Sequence, residues 1–202
     1  MKLHYMKEYS GNEDDITCTY HREGSVPFKE IQNMKKLALF LNSVSTVLSI
    51  IFLVLVVIRQ DIPRDLLHNP GFFLGCLASI FVLFPHELLH AICFKEDVYL
   101  YTNFKQGMLF VVGPEDISKG RFILMSMLPN LVFGFVPFIV YMIWPELTFL
   151  GSFGALSMAM GVGDYYNVIN AVFQMPKGAR TYLYKTHSYW YMPEEEETEN
   201  EE

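Results

Sequence analysis

Residues 85–91 read Pro85-His86-Glu87-Leu88-Leu89-His90-Ala91, a His-Glu-x-x-His set inside a long apolar run. On a helix, residues four apart lie one above the other on one face. Both imidazoles can then reach a single Zn²⁺ at about 2.0–2.1 Å. Glu87 is turned about 100° from His86, at about 3.6 residues per turn. Its carboxylate therefore sits beside the ion, where it can take a proton from an activated water. The apolar setting sharpens the reading, because an acidic group at the centre of a membrane helix costs roughly 2.5–3.5 kcal/mol on insertion scales. Such a group is tolerated where it faces a partner, a cavity or an ion. The competing reading is a hydrogen-bonded His/Glu set within a helix bundle, lining a path for protons.

Two histidines do not complete a catalytic zinc site, which usually takes three protein ligands and a water. The metzincin continuation is absent, since Ala91, Ile92, Cys93 and Phe94 follow His90. Cys93 shares the histidine stripe but reads first as a small apolar packing residue. Glu96 and Glu115 belong to the polar stretch beyond the helix. Asp164 is the stronger third ligand, first by depth. His86 lies eight residues before the end of its apolar run at Phe94, and Asp164 nine before the end of its own at Phe173. At about 1.5 Å per residue both lie roughly 12–14 Å below one surface. Asn130, eight residues into another apolar run, reaches a similar level and is a candidate oxyanion or substrate contact, or simply the amide of a proline kink.

Packing is the second argument. Gly154, Ser157, Gly161 and Asp164 form one stripe at helical spacing, while Gly71, Gly75, Ser79 and Val82 lead to His86 and His90. Small-residue faces let membrane helices approach closely, so these two faces are expected to meet and carry Asp164 to the histidines. The alternative for Asp164 is a hydrogen bond to Asn167 or Asn170.

The elements that must position these groups are long apolar stretches. Residues 37–58 carry no charge for 22 positions, enough to cross a hydrocarbon core of about 30 Å. Residues 71–94, 122–144 and 147–173 are the other candidate spans, and 122–144 carries Pro129 and Pro137, which kink membrane helices. The expected fold class is thus all-α membrane protein: about four transmembrane helices with a short β-hairpin-like cytoplasmic insertion at 98–112, its turn at Lys105-Gln106-Gly107. Residues 1–36 read as a polar cytoplasmic arm with a short amphipathic helix near 28–36. Residues 37–175 read as the four-span membrane domain, and 176–202 as a cytoplasmic C-terminal segment with a disordered acidic tail.

Charge and cysteine usage narrow the function class. The formal net charge is −7, but seven glutamates lie in 194–202; without them 15 acidic residues face 15 basic ones. A neutral body with mean hydropathy of +0.23 gives no basic footprint for nucleic acid. Three widely spaced cysteines, Cys18, Cys76 and Cys93, form neither a disulfide framework nor a Cys-x-x-Cys pair. Residues 1–36 hold no apolar stretch of signal-peptide type. Lysines and arginines gather in 1–36, 95–121 and 175–191, which by the positive-inside rule puts both termini in the cytoplasm.

The intramembrane His-Glu-x-x-His, the β-like segment after it and the later Asp, within Gly161-Val162-Gly163-Asp164, resemble site-2 protease-type intramembrane zinc metalloproteases. More closely, residues 37–175 resemble small bacterial polytopic membrane proteins of the zincin peptidase type. The resemblance implies a multi-pass protein of the bacterial cell membrane, with zinc held by His86, His90 and Asp164 and Glu87 as general base. It also implies a membrane-associated protein or peptide substrate, held by strand addition along 98–112. The Asn-x-x-Pro-x-x-x-x-Asp-Gly signature of site-2 proteases is missing, as Tyr165 follows Asp164. A reading from another class is a non-catalytic zinc-binding membrane scaffold, or a small ion or proton conduit using the same polar layer.

Overall fold

A computed structural model describes residues 2–10, 12, 15–16, 19–60, 63–66, 68–103 and 108–194. In chain order the elements are β1 (Leu3–Glu8), β2 (Val26–Pro27), α1 (Met34–Ile58), α2 (Pro63–Leu66), α3 (Pro70–Phe81), α4 (Leu83–Ala91), β3 (Val98–Asn103) and β4 (Met108–Val112). Then follow β5 (Ile117–Ser118), α5 (Lys119–Pro129), a π-helical segment (Asn130–Phe135), α6 (Val136–Ile143), α7 (Thr148–Met160), α8 (Val162–Gln174), β6 (Arg180–Tyr184) and β7 (His187–Tyr191). The chain is mainly helical, but two small sheets take it outside the all-α class expected for it.

Two helical runs, Met34–Ile58 and Lys119–Ile143, are long and apolar enough to cross a membrane, each 25 residues. Asn33 caps the first by accepting from the Lys36 N–H at 3.1 Å. Among the described residues no amphipathic helix precedes it. Phe28 instead donates its N–H to the Ser188 carbonyl at 3.0 Å and is buried with Ala171, Met175 and Ala179. The second run passes its prolines by widening: Val136 N–H reaches back five residues to the Leu131 carbonyl, the signature of a π-turn.

The other two expected spans are broken. Residues 70–91 form two helices bent by 47°. Pro85 has no N–H for the Phe81 carbonyl and its ring crowds that turn, so the chain bends at Val82 and resumes with His86 N–H on the Val82 carbonyl at 2.8 Å. Residues 148–174 divide at Gly161 into α7 and α8.

α3 and α7 pack closely because Gly75 has no side chain; a Cβ there would collide with the Ser152 hydroxyl and the Phe149 carbonyl. Ser152 donates across the same contact to the Phe72 carbonyl at 2.7 Å. The stripe that begins with Gly154 does not face α3 as expected. Gly154 lies against Gly134 and Phe138, and Gly161 against Asn130, so it serves the α5–α6 run. Fully buried Tyr141 joins α6 to α1 by donating to the Val56 carbonyl at 2.6 Å.

The sheets draw on both ends of the chain. One has strand order β1-β3-β4, with β1 parallel to β3 (Leu3↔Val98) and β3 antiparallel to β4 (Tyr99↔Val112). The expected hairpin is therefore present; its turn at residues 105–107 lies outside the described residues. The second has order β2-β7-β6-β5, pairing Val26 with Trp190. Within 1–36, Leu3–Glu8 and Val26–Pro27 are thus paired with strands from later in the chain. The acidic tail from 195 onward lies outside the described residues.

Candidate metal centre

The bend at Val82 aims α4, and α4 carries His86, Glu87 and His90. Their ligand atoms, one from each, lie within 4.8 Å of one another. α8 delivers Asp164 from its first turn. Its Oδ2 is 2.9 Å from His86 Nε2 and its Oδ1 is 3.2 Å from His90 Nε2. One carboxylate thus meets both imidazoles, and all three side chains are 12–14% exposed. Asp164 does not bond Asn167 or Asn170; Asn170 accepts from Gln174 at 2.8 Å.

Each group is oriented from behind. His90 Nδ1 lies 3.0 Å from the Met125 carbonyl, which can only accept, so that nitrogen carries a proton and in the neutral ring Nε2 presents its lone pair. Asn130, 1% exposed, donates its amide to Asp164 Oδ2 at 2.7 Å and to the Ser126 carbonyl at 3.3 Å. Its amide hydrogens are spent on the carboxylate rather than held out towards a substrate. Gly161 makes room for this carboxamide, which any Cβ would strike. Glu87 Oε2 accepts from the Val111 N–H of β4 at 3.1 Å.

These residues fit a zinc ion by the chemistry of the donor set. The His90 Nε2 lone pair and a carboxylate oxygen face each other at 3.2 Å, and two acceptors repel unless a proton or cation lies between them. Two imidazole nitrogens and one carboxylate are a catalytic zinc triad by type. Backing of the imidazole by a carbonyl and of the carboxylate by an amide is the usual support for such ligands.

The other sequence candidates are elsewhere. Glu115 accepts from the Lys95 N–H at 2.7 Å and pairs with Arg121, whose guanidinium also donates to the Cys93 carbonyl. That pair closes the C-terminal end of α4. Cys93 Sγ donates to the Leu89 carbonyl at 3.3 Å, and Glu96 is exposed. Met125, Val111 and Arg121 were missed by sequence reasoning. The first two act through backbone atoms that leave no residue signal, and only Arg121, a cation at the head of an apolar run, was visible.

Above α4 opens a cavity of about 480 Å³, bounded by His86, Glu87 and His90, by Leu109–Gly113, by Asp164 and Asn167, and by the first turns of α1. A catalytic-type triad at the floor of such a cavity is the geometry of a zincin. The family model described as putative zincin peptidase matches residues 79–180, half of the chain. The chain belongs to that family. The matched stretch contains α4, both strands of the hairpin, α5 and α8, so this zincin peptidase homologue holds its whole donor set inside the family region. No curated protein and no solved structure matches it.

Proposed function

We propose that the chain is an intramembrane zinc metallopeptidase hydrolysing peptide bonds of membrane-associated protein substrates. The observation that carries this is the meeting of His86, His90 and Asp164 from two helices, with Glu87 one position along α4 on the cavity side. His86, His90 and Asp164 would hold the ion. Zinc, when bound in such a site, lowers the pKa of water towards about 7 and polarises a carbonyl. Glu87 takes the proton of the attacking water and returns it to the leaving amine. Asn130 keeps Asp164 in register throughout.

β4 supplies the substrate cradle in this reading. It is the outer strand of its sheet, and Val111 gives its N–H to Glu87 rather than to β3. Because antiparallel pairing alternates, Leu109 and Val111 both turn their backbone groups away from β3. An extended peptide can add there as a fourth strand, pairing with the outward backbone groups of β4 that Glu87 leaves free.

The membrane setting is supported by apolar surface that faces no protein: Leu39, Ile58, Phe81 and Phe173 are each 70–83% exposed. Four crossings, the bent α3–α4 pair and the broken α7–α8 pair counting as one each, place both termini in the cytoplasm of a bacterial cell by the positive-inside rule. The test is a pair of substitutions on purified protein. Glu87→Gln is expected to keep about one zinc per chain and lose cleavage of co-expressed membrane substrates, while His86→Ala loses the metal as well. Full cleavage by Glu87→Gln overturns the mechanism, and zinc without any turnover in the wild type leaves a zinc-binding scaffold.

A further inference from the structure

A strand docked on β4 has a second edge. Its outward N–H and C=O groups lie in an apolar cavity, where unpaired backbone groups are costly. Whatever stands on the opposite wall must satisfy them. Helical geometry says which element that is. His86 and His90 point from α4 at Asp164 of α8, whereas Glu87, about 100° around the helix, points at Val111 of β4. The cavity above α4 is therefore lined by β4 and, about 100° around α4 from it, by the α7–α8 wall.

That wall carries two polar groups that nothing occupies. The Asn167 carboxamide, three residues beyond Asp164 on α8, lines the cavity and makes no hydrogen bond among the described residues. The Ser157 hydroxyl, seven residues before Asp164 on α7, lines it too; Ser157 is 3% exposed and its oxygen has no partner among the described residues. Buried polar groups are nearly always paired, and each exception asks for a ligand or another cause. Two neighbouring polar side chains have partners: Asn130 donates to Asp164, and the Tyr166 hydroxyl accepts from the Ile31 N–H at 3.0 Å. A primary carboxamide offers an acceptor and two donors, the same groups as a peptide unit. A hydroxyl offers one donor and two acceptor sites.

We propose that Asn167 and Ser157 are the far wall of a substrate clamp, hydrogen-bonding the outer edge of a peptide strand that β4 holds by its inner edge. The proposal rests on the metallopeptidase reading and adds its substrate-binding residues. The clamp reads main chain rather than side chain, so it takes extended or unwound segments of many sequences and rejects an intact helix, whose backbone groups are already paired.

Two hydroxamates test it on the zinc-loaded full chain in detergent. Acetohydroxamate engages a metal centre alone; a peptidyl hydroxamate with an extended three-residue backbone engages the centre and the cleft. Asn167→Ala is expected to weaken the peptidyl hydroxamate about tenfold, and Ser157→Ala several-fold. Both should leave zinc content and acetohydroxamate binding within twofold of wild type. Loss of both probes in parallel, or no change in either, overturns the clamp while the metal centre stands. Failure of wild type to bind acetohydroxamate overturns the metal reading, and the clamp with it.

Discussion

Asp164 is the residue on which the site turns, and Asn130 is what fixes it. A buried amide at 2.7 Å from Oδ2 restricts the carboxylate to the rotamer that meets both imidazoles. Supporting partners of this kind commonly contribute 10–100-fold to metal affinity. Asn130→Ala is therefore expected to weaken zinc binding by about that factor, read by competition with a chromophoric chelator, with the helical signal unchanged. Much of the site at this scale is legible in the sequence: His86, Glu87 and His90 by spacing, Asp164 by depth. Asn130 is legible as a polar group at the right level but not in its duty. Depth along a helix ignores azimuth, and only azimuth tells whether an amide faces a carboxylate or an open cavity.

At the scale of elements, hydropathy reads length and misses breaks. Pro85 stands in full view within the motif, yet an apolar run of 24 residues at 71–94 reads as one helix because hydropathy carries no backbone hydrogen bonds. The bend is what turns α4 towards α8. Pro85→Ala restores a donor to the Phe81 carbonyl, so the helix is expected to straighten and carry the histidines away from Asp164. Zinc affinity should fall while circular dichroism shows equal or higher helicity; unchanged affinity would make the bend incidental. The strand β1 was illegible for a different reason, since its partner β3 lies some ninety residues away in sequence. His4 and the Lys2 N–H hold the Asp97 carboxylate below its usual range across that pairing. A carboxylate with a lowered folded pKa adds stability above its ordinary value of about 3.9, and that stability is lost as pH falls through the folded value. Amide exchange of residues 3–8 should accordingly rise at acid pH in the wild type. In Asp97→Asn it should be faster at neutral pH and lose the part of the acid response that Asp97 supplies.

Across the whole molecule, three polar segments far apart in sequence converge into sheets. Residues 3–27, 98–118 and 180–191 supply the seven strands of the described residues, and the proposed topology puts them on one side of the helices. The basic residues mark the same three segments, whereas strand pairings at such sequence separations leave no local signal. Strand pairing between them requires an even number of crossings between one segment and the next. In the proposed four-crossing arrangement the helices supply it: α1 leaves and α3–α4 returns, then α5–α6 leaves and α7–α8 returns. The connections at 59–69 and 144–147 are then the opposite side. In a chain with Cys18, Cys76 and Cys93 replaced by Ser, a single Cys at exposed Tyr5 or Lys177 should stay unlabelled by a membrane-impermeant maleimide in intact cells and react after permeabilisation. A Cys at exposed Glu146 should react in intact cells. Labelling of Tyr5→Cys and Glu146→Cys from the same side would break the four-crossing arrangement. It would leave α1 and the α5–α6 run lying in one leaflet, with the zinc site at the membrane surface instead of within it.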